Sequence, residues 1–121
     1  MKQKHKLFVL CNDKFKDDPV YACVQGGHAV AQYMLDNVEY DEYWKNDFLI
    51  YLWMSQDAFD RIDQTGYSFG YPFFRDIPIS IWREPDQNNV ITSIAVFEDD
   101  IMEDSNGDVI MRMLKKLNTV K

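Results

Sequence analysis

Cysteine is nearly absent from this chain. Cys11 and Cys23 are too few and too far apart for a CxxC redox pair or a disulfide framework. They read as small reduced residues of a cytoplasmic protein. With His5 and His28 they make four metal-binding side chains, yet no pair has the spacing of a metal site, so no metal and no other cofactor is expected. The apolar run behind the N-terminal lysines, LFVLC, is too short for a signal peptide, and no stretch approaches the about 20 residues that cross a bilayer, so no membrane partner is expected. Phosphate-cradling GxxxxGK[ST] and GxGxxG loops are missing, and no serine stands between nucleophile-elbow glycines. EDDIMEDSNGD resembles a calcium loop at Asp104, Asn106 and Gly107. An EF-hand would then need acids at positions 102 and 113, and both are methionine, so the stretch reads as a solvated turn and helix cap.

Apolar residues make up 46% of the 121 and aromatics 15%, which excludes intrinsic disorder and is enough for one cored domain over residues 1–121. The net charge of −7 is uneven. Residues 1–16 carry five lysines and one aspartate, a balance of +4, whereas residues 17–121 carry eight bases and nineteen acids, a balance of −11. A protein that coats nucleic acid nonspecifically would be basic throughout, but a local basic patch at the N-terminal end remains open.

The hydrophobic pattern predicts the order β-α-β-α-β-β-α. KLFVLCN reads as a buried strand. Asp18 and Pro19 are a cap and a first-turn residue for a helix running to about Asp36, with Val24, His28, Ala31 and Leu35 on one stripe. FLIYLWM, apolar at every position, reads as a central strand buried on both faces. Ser55 caps a second helix with Phe59 and Ile62 inward and Gly66 closing it. IPISIW and VITSIAVF are strands joined by REPDQNN, and VIMRMLKKL is a last helix whose terminal lysines suit its dipole. The expected fold is a three-layer α/β/α domain on a four-stranded mixed sheet.

Two glycines precede the histidine in CVQGGHAVAQY, although each glycine inside a helix costs roughly 1 kcal/mol. Gly26 and Gly27 are therefore expected where the helix closely approaches another main chain or a cleft, and Gly27→Leu is expected to overpack. Gln25 and Gln32 flank His28 by one turn each, a polar stripe beside an apolar one, near a strand end where α/β domains gather ligands. Tight helix-on-sheet packing would serve the same glycines.

The stretch FVLCNDKFK…YACVQGGHAVAQYM resembles the opening of the type 2 peptidyl-tRNA hydrolases: a strand, a polar ND loop with lysines, and a helix bearing Q-x-x-HA, here Gln25, His28 and Ala29. The likeness continues at IWREPDQNNVITSIAVF, where Asp86 in the turn and Thr92 in the final strand match, so it covers about residues 6–98. This resemblance implies hydrolysis of the ester joining a peptide, or aminoacyl group, to tRNA, in translation. His28 and Asp86 would activate water, Thr92 would hydrogen-bond in the site, Gln25 would contact substrate, and Lys14 and Lys16 would hold tRNA phosphates. One departure stands out: where the family carries a lysine seven residues before the histidine, this chain has Tyr21. An ester hydrolase weakened at that point is the first expectation, with tRNA as partner and a homodimer as an open one. The alternative is an inactive member of the fold that works as a protein- or RNA-binding adaptor, with the aromatic loop of Tyr67, Phe69, Tyr71, Phe73 and Phe74 as its surface or simply as a lid on the core. A different hydrolase acting on a small ester or amide is a third reading.

Overall fold

The computed structural model describes residues 6–36, 48–65 and 77–120. The aromatic loop at 67–74 and Gly66 lie outside the described residues. The strands are β1 (Lys6–Asn12), β2 (Phe48–Met54), β3 (Ser80–Glu84) and β4 (Val90–Phe97), and they form one sheet in the order β2-β1-β4-β3. β1 and β2 are parallel, and the β1–β4 and β4–β3 pairs are antiparallel, so the sheet is mixed and the protein is of the α/β class.

β1 alternates as a strand covered on both sides should. Leu7, Val9 and Cys11 pack with helix α1 (Pro19–Asp36), while Phe8 and Leu10 join the larger apolar cluster. That cluster takes Ala58, Phe59 and Ile62 from α2 (Gln56–Thr65), Ile101 from α3 (Glu98–Met102), and Ile110 and Leu114 from α4 (Gly107–Lys115). The short helix α3 has no counterpart among the expected elements, and β3 begins at Ser80 rather than Ile77.

The ends of these elements follow local chemistry. Asp18 accepts from the Tyr21 N–H at 3.1 Å, capping α1, and Ser55 Oγ accepts from the Ala58 N–H at 3.2 Å, capping α2. The ND pair is consumed in structure. Asn12 donates to the Ile91 carbonyl at 3.0 Å and accepts from the Lys14 N–H at 2.9 Å, while Asp13 accepts from the Gln56 N–H at 3.1 Å. Asn88 and Asn89 take the left-handed φ values of 58° and 59° that turn β3 back into β4, a conformation asparagine tolerates.

Three expectations fail. FLIYLWM is an edge strand and not a central one. Leu49 is 42% exposed, and Ile50, Tyr51 and Trp53 are half-buried. The edge tolerates apolar residues because the chain's own tail covers part of it. Trp53 N–H donates to the Asn118 carbonyl at 2.9 Å, and Val120 N–H donates to the Tyr51 carbonyl at 3.0 Å. The α1 stripe also points the other way: Val24 and Leu35 are 54% and 73% exposed, and His28 and Ala31 are exposed too. Ala22, Gln25, Gly26, Ala29 and Tyr33 form the buried face. Finally, the two glycines differ. A Cβ on Gly26 would stand 2.5 Å from Tyr51 Cε2 and 2.8 Å from Val9 Cγ1, whereas one on Gly27 would meet nothing within 4 Å. A methyl group on Gly27 therefore has room, and the close approach is at Gly26 alone.

This contrast sets a paired test. Gly26→Ala should lower unfolding stability by roughly 1–3 kcal/mol through overpacking. Gly27→Ala should raise it by about 1 kcal/mol through helix propensity alone. Urea denaturation of both variants reads the difference, and equal midpoints would refute the assignment of close approach to Gly26.

A second test comes from Cys11, which is buried, while Cys23 is exposed and both are free. Burial, with Cys23 as a minor like-charged neighbour, pushes the Cys11 thiol up to about 12 from 9.0. The unfolded chain thus releases this proton first, so the stabilisation is complete below pH 9 and is lost as pH rises toward 12. Cys11→Ala should make the alkaline decline shallower by up to about 1.4 kcal/mol per pH unit. Denaturation midpoints between pH 9 and 12 with unchanged slope would contradict this.

Candidate functional site

The site begins with an irregularity in β4. Trp82 faces Ser93 and Arg83 faces Ile91, so Thr92 is an extra residue in the ladder. A bulge re-aims side chains that a regular strand would send to opposite faces. Thr92 and Ser93, neighbours in sequence, both reach α1 here. Thr92 Oγ1 donates to Gln25 Oε1 at 3.1 Å and Ser93 Oγ donates to the Gln25 carbonyl at 2.8 Å. Thr92 Oγ1 also lies 3.4 Å from the Trp82 carbonyl, but a hydroxyl has one proton and the shorter contact takes it. Gln25 is 2% exposed, and its amide nitrogen donates to Glu84 Oε2 at 3.4 Å. Its side chain is therefore held at both ends, as a buried amide must be.

One turn on, exposed His28 stacks its ring on Trp82 with centroids 4.4 Å apart and planes at 18°. One turn before Gln25, the Tyr21 hydroxyl is buried without a well-formed hydrogen bond among the described residues, as is Trp82 Nε1. Burial first, then the Glu84 charge, push the Tyr21 pKa up; the Gln87 side chain opposes them, and Asp86 and Asp18 add smaller upward pushes, so the phenol stays neutral. The Tyr21 ring packs on Phe15 at 5.2 Å, and the Lys14 ammonium lies 5.7 Å from the Phe15 centroid. Lys14 thus stands at the Tyr21 end of the site. Lys16 is exposed on the same turn, its N–H closing it on the Asp13 carbonyl at 3.1 Å.

Gln25 and Thr92 are in direct contact, and His28 is their neighbour along α1. Asp86 is exposed in a 3₁₀ turn (Pro85–Gln87) facing Tyr21, which precedes His28 by two helical turns, about 10 Å along the axis. No hydrogen bond or ion pair joins His28 to Asp86 among the described residues. Sequence reasoning did not single out Glu84, Trp82 and Ser93. Glu84 and Trp82 lie within WREPD and face α1 together, as residues two apart in a strand do, whereas the bulge that recruits Ser93 has no signature in residue type. Among the described residues no cluster of three histidine, cysteine or acidic side chains could hold a metal ion. No described helix is long and apolar enough to cross a membrane. No protein-family model matches the chain, and no curated protein matches it significantly.

The Gln25–Thr92 bond can be measured directly. Gln25→Leu should cost roughly 1–3 kcal/mol, because it removes the nearer acceptor of the Thr92 hydroxyl and the donor to the half-buried Glu84 carboxylate. In a double-mutant cycle with Thr92→Val, a coupling of about 0.5 kcal/mol or more is expected. Strict additivity in urea denaturation would mean that the bond contributes nothing.

Proposed function

We propose that the junction of α1, β3 and β4 binds the acylated end of tRNA and slowly hydrolyses its ester, the chemistry of the peptidyl-tRNA hydrolases that the sequence resembles. One observation carries this reading: the pinned Gln25 amide sets the turn on which His28 projects to solvent, its ring braced flat on Trp82. An imidazole exchanges protons near neutral pH and suits the role of general base toward a water. Tyr21, a neutral hydroxyl donor, occupies the place of the family lysine and stabilises a developing oxyanion less than an ammonium would. Asp86 does not hold the imidazole directly, so it orients the reacting ester or its water from the Tyr21 end. Slow turnover follows from both features. Lys14 and Lys16 supply the phosphate contacts.

A second reading, a binding adaptor without catalysis, is favoured by the outer face of α1, where Val20, Val24 and Leu35 are 75%, 54% and 73% exposed. An assay of peptidyl-tRNA cleavage separates the two. His28→Ala should reduce the rate by about a hundredfold or more, the usual range for a general base. Equal cleavage by the parent and His28→Ala, or none by either, would leave the adaptor.

A further inference from the structure

The far end of the sheet holds a cavity of about 700 Å3 that shares no lining residue with the site at Gln25. We propose that this cavity binds a small amphiphile: an apolar chain that carries a carboxylate. Its floor is Phe8, Ile50 and Leu52 of β1 and β2, and its wall is Met111 and Leu114 of α4. It is an open groove whose lining mixes apolar and charged side chains, and its size is that of a small-ligand pocket.

The cavity is also spanned by a fixed arch. At the start of α4, Gly107 lies so close to α3 that a Cβ would stand 2.5 Å from the Ile101 carbonyl oxygen. Beyond its end, the 118–120 segment is hydrogen-bonded to β2 through Trp53 N–H and Val120 N–H. α4 is thus held at both ends, and between them Ile110 and Leu114 pack into the core with Phe8 and Leu52 while Met111 lines the cavity. Met111 on the wall is unbranched and polarizable, which suits chains of varied shape.

The rim selects the head group. Lys6, Arg112 and Lys115 stand around the opening with Glu98 and Asp108, an excess of one positive charge in a chain whose net charge is −7. Arg112 uses only Nε, in a long 3.4 Å contact to the Asp108 carbonyl. Among the described residues none of these three cations is ion-paired. A carboxylate seated there would gain charge-assisted hydrogen bonds, and an ammonium would gain none from them.

Decanoate and decylamine test the proposal on the full chain by amide chemical-shift titration. Decanoate should saturate and shift the amides of β1, β2 and α4 that line the cavity, and decylamine should bind about tenfold more weakly or worse. The Arg112→Gln/Lys115→Gln double variant, altered only at exposed positions, should weaken decanoate by a similar factor. The proposal is overturned if decanoate does not bind, if its shifts map elsewhere, or if decylamine binds equally well. The ligand comparison is made on the parent protein, so it decides the matter even if the variant misfolds.

Discussion

Everything at the Gln25 site depends on how closely α1 lies against the sheet, and that depth is set by a missing methyl group. A Cβ on Gly26 would overlap Tyr51 and Val9. Relieving the overlap would require the helix, or the Tyr51 and Val9 side chains beneath it, to shift. The 2.8 Å bond from Ser93 to the Gln25 carbonyl and the 3.1 Å bond from Thr92 to its side chain leave no such slack. The glycine costs helix propensity, and the polar contacts it permits offset that cost. Gly27 has no such return within the fold, since the space above it is open.

The same closeness explains why a polar network can sit inside this fold. Asn12, Gln25, Thr92 and Ser93 are all buried, and each is hydrogen-bonded within the junction of β1, β4 and α1. A buried network of this kind is costly if half-satisfied and rigid if complete. Its two loose ends, the Tyr21 hydroxyl and Trp82 Nε1, flank Gln25 on either side along α1. The interior of the junction is thus saturated, and its unspent hydrogen-bonding capacity lies toward the two ring-bearing ends.

Much of this architecture was legible in the residues. Asp18 and Pro19 announced α1 and Ser55 announced α2, because each signal is local and involves a backbone group that needs a partner within a few residues. What was not legible depends on distant partners. FLIYLWM reads as central because a covered edge and a central strand expose similarly little, and the cover comes from residues 118–120. The α1 stripe misled because Val24 and Leu35 repeat at helical spacing on the outer face, while the inner face is built from Ala22, Gln25, Gly26, Ala29 and Tyr33, mostly small residues that admit the close approach. Among the residues singled out for the site, Gln25 and Thr92 meet. No hydrogen bond or ion pair joins His28 to Asp86 among the described residues, and Asp86 acts electrostatically on Tyr21, two helical turns before His28.

Charge divides the molecule along the strands. β1 and β4 run antiparallel, so the turn carrying Lys14 and Lys16 and the acidic helix α3 lie at opposite ends of the sheet. An eight-residue strand spans roughly 25 Å, and the Debye length at physiological salt is about 8 Å. The acids of α3 therefore steer an approaching polyanion at low ionic strength but scarcely act on one already touching the lysine turn. What does act there is local: Asp13, Asp17 and Asp18 flank the two lysines in sequence, and Glu84 and Asp86 close the Tyr21 end. Asp13 and Asp18 accept from backbone N–H groups of α2 and α1, which directs those carboxylates toward helix starts. The lysines, both exposed and neither tied to these acids by an ion pair among the described residues, are left as the outward-facing charges of the turn. A net charge of −7 is thus compatible with a small cationic contact, provided that the contact is short-range and confined to this one turn.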